Sequence, residues 1–132
     1  MEKLTNLEKA VLEKLLSGSS EVFRNLYKQY LALEVAKREF TGVGFWTIFS
    51  VPSGVEQLPG APSFWFGDVG AKIDGLKHGA GFELLIKDGS LRMLEGFSFD
   101  EPWPETIGSI ELFYINGSQR NEDEVIKSFT PA

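Results

Sequence analysis

Residues 78–104 read HGAGFELLIKDGSLRMLEGFSFDEPWP, and this stretch decides the fold class. Largely apolar segments lie on both sides of Asp88-Gly89, from Phe82 to Lys87 and from Ser90 to Phe97. This dipeptide is typical of two-residue turns whose twist matches that of antiparallel strands. The sequence therefore predicts a β-hairpin from Phe82 to Phe97.

Counting residues outward from the turn predicts which side chains of the hairpin share a face. Leu84 is expected opposite Met93, and Phe82 opposite Glu95. One face is then apolar except at its open end, with Phe82, Leu84, Ile86, Leu91, Met93 and Glu95. A carboxylate among apolar groups is desolvated and its pKa rises, which makes Glu95 a candidate functional residue. A structural carboxylate that accepts backbone N–H bonds is the alternative.

Two helices are predicted before the sheet, over about residues 5–17 and 20–32. Thr5 and Glu8 match a capping box, and Gly18 is expected to end the first helix in the left-handed conformation. Ser19 or Ser20 is expected to cap the second. Apolar residues recur at helical spacing in both segments, at Leu7, Val11, Leu12, Leu15 and Leu16, then at Val22, Phe23, Leu26, Tyr27 and Tyr30.

Residues 33–115 are predicted to form the sheet. Residues 33–40 fit either a strand or more helix, and a hairpin with residues 45–51 is favoured. Residues 52–63, rich in proline and glycine, predict a surface loop. Further strand patterns cover 64–73 and 110–115, and the polar, acidic tail 116–132 has apolar residues that are available to dock. The predicted fold is a single α+β domain, residues 1–132, in which an N-terminal helix pair packs on a curved, mainly antiparallel sheet of about six strands.

Composition excludes several classes of function. The net charge is −6 and the pI is about 4.8, so the positive surface that nucleic acids and anionic membranes require is not expected. The absence of cysteine excludes disulfides, thiolate metal sites and cysteine nucleophiles. No signal peptide and no apolar run long enough to span a membrane is found, which predicts the cytoplasm. No cofactor is predicted.

Several strand patterns are apolar on both faces, at residues 45–49, 65–69 and 110–115. Two short helices cover only one face of such a sheet. The other face must be closed by curvature, by the 52–63 loop and the tail, or by another chain. An open apolar face favours a protein partner or a homodimer, whereas a strongly curved sheet favours a small-molecule pocket.

His78 is the candidate for acid–base chemistry, because histidine is the side chain whose ordinary pKa lies near neutrality. As a general base it would need Asp68, Asp74 or Glu95 as an orienting carboxylate. A loop histidine bonded to the backbone is the commoner role. No metal site is predicted, because a single histidine stands among acids without ligand spacing.

Trp103 lies between two prolines in an acidic segment, and this setting predicts an exposed anchor at a protein interface. For the other aromatic candidates, Trp65 and Phe97, packing in the core is the alternative to a place at an interface. The predicted binding residues are Trp103, Asp100, Glu101, Trp65 and Phe97.

Four motifs carry a resemblance: TGVGF with VP at 41–52, GDV at 67–69, GLKHGAGF at 75–82 and MLEGFSFDEPWP at 93–104. Over residues 33–115 the chain resembles a family of small uncharacterised bacterial proteins, and this implies no activity or catalytic residues. In size, charge and composition it is also similar to immunity proteins of bacterial toxin systems. The predicted function is a non-catalytic, immunity-like protein-interaction module. A small-molecule-binding or enzymatic domain with a pocket near His78 and Glu95 is the alternative.

Overall fold

The computed structural model describes residues 3–132, and within them the predicted α+β class is confirmed. Two N-terminal helices precede an eight-stranded sheet, and a third helix lies in the C-terminal segment. The elements are α1 (Asn6–Leu15), α2 (Glu21–Ala32), β1 (Glu34–Phe40), β2 (Gly44–Ser50), β3 (Phe64–Phe66), β4 (Val69–Ile73), β5 (Ala80–Lys87), β6 (Ser90–Ser98), β7 (Ile110–Tyr114), α3 (Glu122–Lys127) and β8 (Thr130–Pro131). The strand favoured over 33–40 and the loop over 52–63 are confirmed.

The sheet is open, curved and antiparallel throughout, in the order β1-β2-β6-β5-β3-β8. On the side away from β6, strand β5 pairs with two strands: its residues 84–86 pair with β3, and residues 80–81 pair with β4. Strand β7 pairs with β4. The predicted single strand over 64–73 is therefore two strands, since Gly67-Asp68 interrupts the ladder where the chain changes its partner segment.

Helices α1 and α2 pack on one face of the sheet, called here the inner face. The capping box of Thr5 and Glu8 is confirmed: the Glu8 amide donates to Thr5 Oγ1 at 3.1 Å, and the Thr5 amide donates to Glu8 Oε1 at 2.8 Å. Side chains of both helices bury against alternate residues of the strands. The core between the two layers includes Val11, Leu12, Leu15, Phe23, Leu26, Phe49, Phe66, Val69, Phe82, Leu84, Ile86 and Leu94.

A β-bulge changes the predicted register of the central hairpin. Near the turn the prediction is confirmed, because Ile86 pairs with Leu91. Beyond it, Leu85 pairs with Met93, so that Arg92 is an extra residue in β6. Each later side chain of β6 therefore changes face relative to β5. The predicted pairing of Phe82 with Glu95 is wrong, and Glu95 pairs with Glu83 on the face opposite the helices.

The C-terminal tail packs against the start of α2, and this contact explains why residue 18 is a glycine. Helix α1 ends at Leu15, and Gly18 is not in the left-handed region, so its predicted role is wrong. A Cβ at Gly18 would lie 2.5 Å from Glu122 Oε1. That oxygen accepts the amides of Ser19 at 3.0 Å and Ser20 at 2.9 Å, so Glu122 caps the start of α2. These bonds, chiefly that from the Ser20 amide, lower the pKa of Glu122.

Candidate interaction surface

The face of the sheet opposite the helices, called here the outer face, is mostly apolar. Cross-strand pairing aligns its side chains in rows, such as Trp65, Leu85, Met93 and Ile48 from β3 to β2. None of these side chains is fully buried, in contrast to their neighbours on the inner face. The outer face comprises Trp46, Ile48, Trp65, Glu83, Leu85, Met93, Glu95, Phe97 and Phe113, with the charged residues Lys37 and Glu39 of β1 and Lys72 and Glu111 of β4 and β7 toward its margins.

Glycines of the sheet let two aromatic rings of the outer face lie against the backbone. Phe97 pairs with Gly81, and a Cβ at Gly81 would lie 2.8 Å from the Phe97 ring. Phe113 pairs with Gly70 in the same way, again with a ring atom 2.8 Å from the added Cβ. A larger residue at either glycine would displace a ring. The two rings therefore lie flat against the outer face, beside the rows of β3 to β2 side chains. Phe113 is 41% exposed.

Glu83 and Glu95 place two carboxylates at the middle of this apolar surface. They face each other across β5 and β6, and Trp46 of β2 is the next residue in the same row. Burial raises the pKa of Glu83 above its ordinary value, and the negative charge of Glu95 raises it further. A raised pKa means that this carboxyl favours folding below pH 4.5 and disfavours it once ionised. Glu83 thus contributes less to stability at neutral pH than at acidic pH.

The three predicted catalytic residues lie in different surroundings. His78 is exposed in the loop before β5, and its backbone amide donates to Glu101 Oε2 at 3.0 Å. Asp68 is buried between β3 and β4 and forms an ion pair with Arg120, at 2.7 Å between Oδ1 and Nη2. Glu95 lies on the outer face. Asp74 accepts a bond from the Ser109 amide.

The predicted binding residues divide between two surfaces. Trp65 and Phe97 belong to the outer face. Trp103 lies elsewhere: its ring packs at 5.5 Å from that of Phe45 and lines a cleft of about 430 Å³ with Arg38. Asp100 is exposed, in the loop after β6. These placements separate Trp103 from the outer-face aromatic residues.

Glu101 stabilises the contact between two loops. Its carboxylate accepts the backbone amides of Lys77 at 2.9 Å and His78 at 3.0 Å. These two bonds, first that from Lys77, lower the pKa of Glu101. The acidic loop is thereby tied to the loop before β5, and the Glu101 carboxylate already has hydrogen-bond partners within the chain.

A second cleft, of about 710 Å³, lies between α2 and the 52–63 loop, lined by Arg24, Asn25 and Phe129 among others. Neither this cleft nor the one beside Trp103 is lined by His78 or Glu95. Within residues 3–132, no three acidic or histidine side chains lie close enough together to hold a metal ion. None of the helices in the same range is long and apolar enough to cross a bilayer.

Comparison with protein-family models, with curated proteins and with solved structures finds no match to the chain. The resemblance over residues 33–115 therefore stays a prediction. Sequence reasoning placed Trp65, Phe97 and Glu95 among the candidates but missed Glu83, Trp46 and Phe113. The alternation of Trp46 and Ile48 with buried neighbours was the available signal for the first strand of the surface.

Proposed function

We propose that this protein is a non-catalytic interaction module that binds another protein through its outer face. The observation that carries the proposal is the aromatic and aliphatic sheet surface left outside the core. Apolar surface of this kind favours association, because burying it against a partner removes it from water. Aromatic residues with one face packed and one face free are typical of interface anchors.

The surroundings of the polar residues support binding over catalysis. A general base requires a partner within hydrogen-bond reach of the reacting proton and a carboxylate that orients it. The three catalytic candidates lie apart, and Asp68 is already paired with Arg120. The enzymatic alternative, with a pocket near His78 and Glu95, therefore has less support than a docking surface.

The acidic composition and the resemblance described above support an immunity-like bacterial protein acting in the cytoplasm. Immunity proteins bind their toxins and perform no chemistry, so a binding surface without a reactive centre fits this class. A toxin gene beside the gene of this protein would add support. A homodimer through the same face is the competing form of the proposal.

Photo-crosslinking in the source cells tests the proposal. A benzoylphenylalanine at Trp65 places the reactive group on the outer face, and we expect a discrete adduct with one protein, identified by mass spectrometry. Leu31 on α2 offers a matched control, because it is also apolar and is 70% exposed on the helical side. The same adduct at both positions, or none at position 65, would contradict the proposal.

A further inference from the structure

On the basis of the proposed function, we infer that the outer face selects a partner that presents an arginine or lysine side chain surrounded by apolar groups. The cationic group would lie between Glu83 and Glu95, and its apolar neighbours would cover the rows that contain Leu85 and Met93. If the outer face binds no protein, this inference falls with it. It can also fail alone, if the partner binds by apolar contact without a cation.

The first support is that neither carboxylate has an ion-pair partner among the described residues. No lysine or arginine of residues 3–132 forms an ion pair with Glu83 or Glu95. The two buried acids of the fold are each compensated, Glu8 by Arg38 and Asp68 by Arg120. Half-buried charges that face each other without compensation are costly, and a cation from another molecule would remove that cost.

The second support is the chemistry around the pair. Trp46 adjoins Glu95 in the same row, and tryptophan is the aromatic side chain that attracts cations most strongly. This ring already contacts a cation of the same face, since Nζ of Lys37 in β1 lies 5.5 Å from its centroid, so a partner's cation would lie on the Glu95 side of the ring. A guanidinium or ammonium group would therefore meet both carboxylates and an aromatic ring, while its aliphatic stem covers apolar neighbours.

The same charges argue against a second copy of this chain as the occupant. In a two-fold symmetric dimer, residues near the axis meet their own copies. Glu83 and Glu95 lie in the middle of the outer face, so dimerisation through it would bring four carboxylates together. Like charges juxtaposed in an interface are unfavourable. A partner of opposite charge is favoured instead, in agreement with the net charge of −6.

Titration of the ¹⁵N-labelled chain with two peptides tests the inference. The probe is acetyl-Phe-Arg-Leu-Arg-Phe-amide, and its control replaces both arginines with citrulline, which is nearly isosteric and neutral. We expect shift changes confined to outer-face residues and an affinity for the arginine peptide about tenfold higher than for the citrulline peptide. Sedimentation of the free chain should show a monomer at about 10 μM.

The variant Glu83→Gln/Glu95→Gln is expected to bind both peptides with the lower, citrulline-like affinity. It should be at least as stable to urea as the parent, because it removes a like-charge pair. The control variant Glu21→Gln/Glu105→Gln removes two exposed carboxylates outside the sheet, so it changes the net charge equally and should keep the tenfold preference.

Equal affinity for both peptides at the outer face would overturn the cation requirement and leave the docking surface standing. Absence of outer-face shifts with either peptide up to about 5 mM would overturn the inference, while the crosslink at position 65 still decides the proposed function. A dimer that Phe113→Lys disperses would also overturn it.

Discussion

Replacing Arg38 with methionine is expected to lower the free energy of unfolding by about 3–5 kcal/mol at pH 7. Glu8 is 1% exposed, and its carboxylate accepts bonds from Arg38 Nη2 at 2.6 Å and Nε at 2.8 Å. The hydroxyl of Thr47 donates to the same carboxylate. Methionine keeps the aliphatic stem but leaves a buried charge without its counter-ion. Urea denaturation measures the difference.

The loss should depend on pH in a defined direction. In the parent, burial alone would raise the pKa of Glu8, but the bonds from Arg38, Thr47 and Thr5 with the Arg38 charge lower it. This contributes stability above the ordinary value of 4.5 that is lost as the pH falls through the lowered pKa. Without Arg38, burial raises the pKa instead. The gap between parent and variant should therefore shrink as the pH falls toward 4.5.

The double variant Glu8→Gln/Arg38→Met provides the control for the first prediction. Glutamine keeps an acceptor for the Thr5 amide and the Thr47 hydroxyl but carries no charge. Since the cost arises from an uncompensated carboxylate, the double variant should recover most of the lost stability. A small, pH-independent loss in the single variant, below about 1 kcal/mol, would show that the pair does not have this role.

Replacing Arg120 with methionine is expected to cost a similar amount, about 3–5 kcal/mol. Its guanidinium donates to Asp68 Oδ2 at 2.8 Å and Oδ1 at 2.7 Å, and to the carbonyls of Leu15 and Ser17 at 2.6 Å each. It also lies 4.4 Å from the ring centroid of Phe23. One side chain thus joins the end of α1, the segment between β3 and β4, and the tail. Its loss leaves Asp68 buried and unpaired.

Arg92→Met is the matched control, because Arg92 is an exposed arginine at the bulge of β6. Surface substitutions of this kind usually change stability by no more than about 0.5 kcal/mol. Hydrogen exchange should locate the effect of Arg120→Met in residues 14–18 and 120–132, since these segments share the lost bonds. Equal losses in the two variants, or faster exchange spread evenly over the sheet, would refute the assigned role.

The fold class could be predicted because its signals are local. The capping box of Thr5 and Glu8, the turn at Asp88-Gly89 and the apolar periodicities each act within a few residues. The bulge at Arg92 could not be predicted, because the residues around it are as compatible with a regular strand as with a bulged one. The same limit applies to the division of β3 from β4, because β3 pairs with residues 84–86 of β5 and β4 pairs with residues 80–81.

The sequence predicted strands that are apolar on both faces of the sheet, and therefore an apolar outer face. It did not predict that two carboxylates lie at the centre of that face. Because of the bulge, Glu95 lies on the outer face and pairs with Glu83. The pairings of Glu8 with Arg38 and Asp68 with Arg120 cross 30 and 52 residues of sequence, beyond the reach of local patterns. Tertiary contacts thus pair Asp68 with Arg120 and leave Glu83 and Glu95 half-buried without an ion pair.

The tryptophans provide natural reporters for the proposed surface. Trp46 and Trp65 lie on the outer face, whereas Trp103 packs against Phe45 beside the helices. The protein captured by the crosslink at position 65 can be added to the chain with ¹⁵N-labelled tryptophan. If the outer face is the binding surface, the indole N–H signals of Trp46 and Trp65 will shift or broaden while that of Trp103 stays unchanged. A change at Trp103 alone, or at none of the three, would contradict it.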